Sequence, residues 1–302
     1  MAHRSRFELA QVDGALLGSA LAAIFLMPAA SWAVDWGKVT ATDIPLFYPG
    51  QVSWEKALTA SEHKGATKFR AGETCRDCHA DEEADMGASR AEMDKFAGRS
   101  SLVVQLKAAV AGGNLHLQVS GPAVGDKAPD VGVMLGSEAL KSTTQAGCWV
   151  ACHDDAPGMA SDSGQKLGKY LARSRSKNTP TGGGDSVRPQ AELDAALAAG
   201  EFLELLEVDA SGKGERVYIL DKLHERELAG TTMRVEGGRW IAEMQRPLAA
   251  GGKGEIALDA GKTYHVGVAI HDPGVKGRKH LVSLERSLVV GSGSADIVVQ
   301  QQ

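Results

Sequence analysis

Alternating apolar and polar residues dominate the chain from residue 102 onward. The stretches LVVQLKAAV and LHLQVSG flank a Gly-Asn turn, which predicts a β-hairpin, and DVGVMLG predicts a further strand. After residue 201, glycine turns separate more alternating stretches: FLELLEV, ERVYILD, GTTMRV, RWIAEMQRPL, GEIALDAGKTYHVGVAIHD, HLVSLERSLVVG and ADIVVQQ. Closely spaced strands without long helices between them are typical of sandwiches and barrels. We therefore predict a mainly β fold, an antiparallel β-sandwich with long loops and a few short helices.

The remaining segments show little alternation. Residues 34–100 are polar, and GETCRDCHADEEADMGASRAEMDKF predicts a loop followed by a short helix. Residues 141–189 form a long irregular insert, and AELDAALAAGEF predicts a short helix that ends at Gly200. We predict three parts: a leader at 1–33, an N-terminal segment at 34–100 and the β-sandwich at 101–302.

The first 33 residues have the layout of a secretory signal. MAHRSR is basic, GALLGSALAAIFLMPAA is apolar, and SWA places small residues before Val34. The apolar run is short for a membrane span, which needs about 20 apolar residues. We therefore predict a cleaved signal peptide and export to a periplasm, with a retained N-terminal anchor as the alternative.

Composition narrows the classes of partner. The 302 residues include 43% hydrophobic and 24% charged residues, as in ordinary globular proteins. Thirty-six glycines and only 5% aromatic residues indicate a chain rich in turns. The formal net charge of -5 argues against a nucleic-acid partner, because phosphate binding needs a clustered basic face.

The first cysteine pair matches the signature for covalent haem. CRDCH places Cys75 and Cys78 two residues apart, with His79 directly after them. In this arrangement two thiols add to the haem vinyl groups and the adjacent imidazole reaches the iron. The alternatives are a zinc half-site or a local disulfide. Export favours haem, since bacteria attach haem c outside the cytoplasm.

The second cysteine pair has one residue more between its cysteines. CWVACH contains Cys148, Cys152 and His153, and keeps the Cys-His dipeptide that joins thioether to ligand. Spacing alone leaves haem, a disulfide and a metal clip open. The presence of a first haem motif favours a second haem c at this site.

Several stretches together resemble a known family. They are FYPGQVSWE, CRDCHADEEADMG, GCWVACHDD, GRWIAEMQRPL, GKTYHVGVAIHD and KHLVSLERSL, spread over residues 47–288. They resemble the haem-binding domain of ethylbenzene dehydrogenase and dimethyl sulfide dehydrogenase γ subunits, and most closely the dihaem c-type cytochromes of that family. The resemblance implies a β-sandwich with haem at one end and a role in electron transfer. The γ subunits hold a b-type haem with methionine and lysine, whereas this chain has covalent motifs and His280 near the position of that lysine.

A haem that only transfers electrons takes a second axial ligand, usually histidine or methionine. The mature chain offers six histidines outside the two motifs: His63, His116, His224, His265, His271 and His280. We predict His280 opposite His153, while His63 and His271 compete for the iron bound by His79, ahead of Met86. His116 and His265 occupy alternating strand positions that favour structural roles, and His224 is predicted to face solvent.

The sequence thus predicts a periplasmic cytochrome with two covalent haems c that passes electrons between redox partner proteins. A membrane quinol-oxidising cytochrome and a molybdenum enzyme are the candidate partners. The sequence allows an oligomer and does not decide the oligomeric state. One alternative is an enzyme with an open iron for peroxide or nitrogen oxides. Another is an electron-relay subunit of a molybdenum oxidoreductase. We find no Ser-His-Asp or paired-carboxylate arrangement, which favours electron transfer over catalysis.

Overall fold

A computed structural model describes residues 34–50, 63–147, 171–174, 176, 186–273 and 280–302. Over these ranges the chain forms five α-helices and thirteen strands. The helices are α1 Ala66–Ala71, α2 Cys75–His79, α3 Glu83–Met93, α4 Lys141–Ala146 and α5 Gln190–Ala198. The strands are β1 Thr42–Phe47, β2 Ser101–Ala111, β3 Asn114–Pro122, β4 Asp130–Ser137, β5 Leu203–Val208, β6 Gly214–Ile219, β7 Leu223–Leu228, β8 Thr232–Glu236, β9 Arg239–Pro247, β10 Thr263–His271, β11 His280–Val282, β12 Arg286–Val290 and β13 Ile297–Gln301.

The strands hydrogen-bond into one sheet with the order β7-β6-β5-β4-β10-β11-β1-β2-β3-β9-β8. One edge of β10 pairs with β11 near His271 and with β12 near Tyr264. Strand β13 joins β12 to β2, and these two pairings are parallel, whereas the others are antiparallel. The sheet folds over so that β5 contacts β9 across an apolar core. The predicted mainly β, antiparallel fold with short helices is confirmed.

The predicted β2–β3 hairpin forms with a small difference at its turn. Ala111 pairs with Asn114, so the two turn residues are Gly112 and Gly113 rather than Gly-Asn. Both have positive φ, 56° and 76°, which glycine adopts at low cost. Asn114 is instead the first residue of β3.

Strand β9 shows how alternation builds the core. Trp240, Ala242, Met244 and Arg246 are buried, and the residues between them are half-buried. The fourth inward position is a charged one. Arg246 Nη1 lies 3.2 Å from Glu204 Oε2 of β5, and both side chains are fully buried. An ion pair therefore joins the two layers inside the core.

The N-terminal segment contributes to the sheet as well as to the helices. Strand β1 pairs with β2 over its full length and with β11 at Phe47. The predicted boundary at residue 100 stays a prediction, and this segment supplies a central strand. The predicted helix before Gly200 is α5, and Gly200 ends it with φ of 77°. Over the described ranges, the helices are too short or too polar to cross a lipid bilayer.

Candidate haem sites

The first cysteine motif lies on a helix, where the sequence had predicted a loop. Helix α2 spans Cys75–His79 and begins at Thr74, whose hydroxyl accepts from the Asp77 backbone N–H at 3.1 Å. The Asp77 carboxylate accepts from the Thr74 backbone N–H at 2.7 Å. This reciprocal capping box stabilises a helix of only five residues. One helical turn presents Cys75, Cys78 and His79 together.

The two thiols of this motif face different surroundings. Cys75 packs against an apolar floor made by Phe47, Val282 and Leu284, whereas Cys78 is exposed. The two cysteines are not joined in a disulfide. Burial, with a smaller contribution from Cys78, raises the pKa of the Cys75 thiol to about 12. An uncharged thiol on an apolar floor suits a sulfur that forms a thioether to an apolar ring, and fits a thiolate ligand of zinc less well.

His79 is held by a carboxylate. Its Nδ1 lies 3.0 Å from Glu82 Oε2. Because Nδ1 is engaged, Nε2 is the nitrogen that can bind a metal ion. A carboxylate on the second nitrogen is a common way to orient a histidine that binds metal.

His63 lies beside His79, although sixteen positions separate them. Their ring centroids are 6.4 Å apart and their planes differ by 21°. Two imidazoles on opposite sides of one iron would have centroids about 6 Å apart, since each nitrogen lies about 2 Å from the metal. The pair therefore has the spacing of two axial ligands. Met86 packs on the same apolar floor as Cys75.

Two ion pairs fasten this motif to the sheet. Arg76 Nη1 lies 2.9 Å from Asp296 Oδ2 and 3.4 Å from the Glu285 carbonyl oxygen, to which it donates. Arg286 Nη2 lies 3.1 Å from Glu83 Oε1, and this pair is buried. Burial alone would raise the pKa of Asp296, but hydrogen bonds from Arg76 and Ser287 hold it below its ordinary value. The contacts fix helices α2 and α3 beside strand β12.

The second motif, Cys148, Cys152 and His153, lies outside the described residues, but the chain leading into it is described. Gln145 Nε2 donates to the carbonyl oxygens of Phe69 at 2.8 Å and Glu73 at 3.0 Å. Gly147 has φ of 62°, and a Cβ there would lie 2.6 Å from the Glu285 backbone nitrogen. The residues just before the second motif therefore touch those just before the first.

His271 and His280 face each other across β10 and β11. They are paired in register, their ring centroids are 6.1 Å apart and their planes differ by 62°. Directly opposite residues share a face of the sheet, and neighbouring strands lie about 4.8 Å apart. His271 and His280 therefore lie side by side on one face of the sheet. His280 is buried and shares its face with Val282 of the apolar floor.

Some residues of the site gave no signal in the sequence analysis. In the sequence, Glu82 and Arg76 are ordinary charged residues in and beside the first motif. The one local indication was that Glu82 follows His79 by three positions. The sequence did not predict the turn that brings the Glu82 carboxylate back to the His79 ring. His265 was predicted to be structural. It is buried between Glu285, at 2.5 Å from Nδ1, and Glu138, at 2.8 Å from Nε2.

Two relatives match most of this chain and of their own length. Cytochrome c-552 of Stutzerimonas stutzeri is 31% identical over 288 residues, which cover 89% of this chain and 91% of the relative. The chain belongs to the c-type cytochromes. Cytochrome c-551 of Rhodocyclus tenuis is 26% identical over 284 residues, covering 89% of this chain and 100% of the relative. No family model matches the sequence.

Membership of the c-type cytochromes means that this cytochrome binds haem covalently through cysteine. The residues around Cys75 fit that group in their chemistry. They combine an apolar floor, two cysteines that form no disulfide and have the spacing of a haem c motif, and two histidines at axial separation. When bound, the haem supplies an iron that changes oxidation state by one electron.

Proposed function

We propose that this cytochrome is a periplasmic dihaem protein that carries electrons between redox partners. In this proposal Cys75, Cys78 and His79 hold one haem c. Cys148, Cys152 and His153 hold the second. The pairing of His63 with His79 is the observation that carries the proposal, because two strong axial ligands leave no position for a substrate.

The polypeptide has three tasks in such a carrier. His63 and His79 would stay bound to the iron in both oxidation states, so that electron transfer needs no bond rearrangement. The floor of Phe47, Val282 and Leu284 would exclude water from one side of the haem. The ion pairs of Arg76 and Arg286 would keep the motif rigid against the sheet.

The contacts between the two motif-bearing segments support direct transfer between two haems. Gln145 donates to the backbone carbonyl of Phe69, inside helix α1, and to that of Glu73, in the turn that follows the helix. Gly147 rests on Glu285, whose carbonyl oxygen accepts from Arg76. Arg76 of the first motif and Gly147, the residue before Cys148, thus contact the same residue, Glu285. For the second haem, His280 is the proposed partner of His153, and His271 stays a candidate ligand.

The location and partners follow from other features. The basic and apolar leader at 1–33 supports export to the periplasm. The resemblance to γ-subunit haem domains supports redox proteins as partners, such as a membrane quinol-oxidising cytochrome or a molybdenum enzyme. We propose no nucleic-acid partner, given the net charge of -5.

The first test is a count of haems on the exported protein. Intact mass and a pyridine haemochrome assay should agree on two covalent haems per chain. One haem would refute the second site, and none would refute the proposal. Carbon monoxide should leave the spectrum of the reduced native protein unchanged. A spectral change would favour the enzyme with an open iron.

The axial role of His63 has its own variant. In His63→Ala the first iron should lose one ligand, bind carbon monoxide when reduced and show a high-spin ferric signal in electron paramagnetic resonance. His116→Ala is the matched control, because that ring contacts a backbone carbonyl of β2. A His63→Ala protein with unchanged low-spin signals would exclude His63 as a ligand.

A further inference from the structure

Glu82 occupies an unusual position between two helices. It is the N-cap residue of α3, yet its side chain makes no capping hydrogen bond. N-cap side chains normally accept from the first backbone N–H groups of the helix. The Glu82 carboxylate instead accepts from His79 Nδ1 at 3.0 Å. The side chain is therefore directed to the proposed iron ligand and away from its own helix.

A strained turn brings Glu82 back to His79. Asp81 has φ of 65°, the left-handed region that residues other than glycine rarely adopt. The Glu82 backbone N–H donates to the His79 carbonyl oxygen at 3.1 Å and closes the turn. Asp is one of the few side chains that tolerate this conformation. The turn, the N-cap position and the hydrogen bond together define one geometry.

We propose that Glu82 is a positioning residue that sets the reduction potential of the first haem through His79. This rests on the proposed ligation of iron by His79. A carboxylate that accepts from Nδ1 makes the imidazole a stronger donor through Nε2. A stronger donor stabilises ferric iron relative to ferrous iron, and so lowers the potential. Hydrogen bonding to an axial ligand is one of the means by which proteins tune haem.

The test is a potentiometric titration of the full haem-loaded protein and three variants. Glu82→Gln keeps the shape of the side chain and removes its charge. It should favour the reduced state of the first haem about tenfold, which is 59 mV for a one-electron couple. Glu82→Asp keeps the charge and retracts the carboxylate by one methylene. It should shift the potential in the same direction, because the contact with Nδ1 is lost.

Asp85→Asn is the matched control. Asp85 is an exposed residue in the first turn of α3, so this variant removes the same charge three positions away. Screening in water should limit its effect to about twofold. Equal shifts in Glu82→Gln and Asp85→Asn, or a wild-type potential in Glu82→Asp, would show general electrostatics and overturn the proposal.

A second readout follows His79 itself. In the reduced, diamagnetic protein the His79 Nδ1 proton should resonate far downfield and move upfield in Glu82→Gln. A signal that does not move would overturn the role of Glu82. Intact mass separates this from the larger proposal: haem present on Cys75 and Cys78 with an unmoved potential refutes only Glu82, whereas absence of that haem refutes both.

Discussion

At the scale of single residues, His265 is a buried histidine held between two carboxylates. Its ring contacts Glu285 on one side and Glu138 on the other, and Arg286 donates to the Glu285 backbone carbonyl. Burial by itself would lower the pKa of His265. The hydrogen bonds that the ring makes to both carboxylates outweigh burial and raise that pKa above its ordinary value. The ring therefore joins β10 to the connection before β12.

This arrangement predicts a pH dependence of stability. An unfolded histidine has a pKa of about 6.5. Because the folded pKa is higher, the contribution of His265 is complete below about pH 6.5 and is lost as pH rises through the folded value. The free energy of unfolding, measured by denaturant from pH 5.5 to 9, should fall with pH more steeply in the wild type than in His265→Gln. His116→Gln should keep the wild-type slope. Identical slopes in wild type and His265→Gln would contradict this.

At the scale of elements, helix α3 approaches the sheet at a glycine. A Cβ at Gly87 would overlap the Ser100 carbonyl oxygen and lie 3.2 Å from Phe47 Cβ. The Ser100 oxygen already accepts from the Tyr48 backbone N–H at 2.8 Å, so moving the Ser100 backbone away would strain this hydrogen bond. Helix α3, which begins directly after Glu82 and contains Met86, thus packs this close to the sheet only because residue 87 lacks a side chain.

Replacing Gly87 by alanine should change the free energy of unfolding in the direction opposite to the usual one. Alanine normally stabilises a helix relative to glycine by about 1 kcal/mol. Gly87→Ala should instead lower the free energy of unfolding by about 1–3 kcal/mol, through overpacking against backbone. Ala88→Gly, at an exposed position of the same helix, should cost only about 1 kcal/mol. Denaturant unfolding measures both, and a stabilised Gly87→Ala protein would show that α3 does not contact Ser100.

At the scale of the whole molecule, buried charge joins the two layers of the fold. Glu204 accepts from Arg216 Nε at 2.6 Å and from the Ile256 backbone N–H at 2.8 Å, besides pairing with Arg246. Arg246 also donates to the Ile256 carbonyl oxygen at 2.7 Å. Burial, the largest influence, lowers the pKa of Arg246 below its ordinary value. The network connects β5, β6 and β9 with the chain before β10.

Removing Arg246 should leave the buried Glu204 carboxylate with Arg216 but without its second cationic partner. Arg246→Met should destabilise the protein by about 3–5 kcal/mol, as for other broken buried pairs. The double variant Arg246→Met, Glu204→Gln should cost less than the sum of the two single variants, because the buried carboxylate that lost Arg246 is then replaced by a neutral amide. Lys262→Met, which breaks an exposed pair with Asp259, should leave the unfolding midpoint unchanged. Additive effects in the double variant would argue against the network.

The local patterns of the chain were enough for the strands and for the chemistry of the first motif. Alternation predicted β2, β3, β4 and β9, because successive side chains of a strand point to opposite faces of the sheet whatever its partners are. The relatives confirm a c-type cytochrome, as the five residues of CRDCH predicted. Helix α2 was missed, because a capping box of Thr74 and Asp77 overrides weak helix propensity over so short a span.

Contacts between residues far apart in the chain could not be predicted from those local patterns. Amino-acid order alone established an extended-strand protein with a covalent haem motif, since both depend on neighbours within a few positions. The folded chain alone decided that His63 lies at axial distance from His79, and that Glu82 turns back to hold His79. It also decided that Arg246, at a buried position of β9, meets Glu204. These partners are selected by packing and burial across the whole sheet, which no short stretch of sequence encodes.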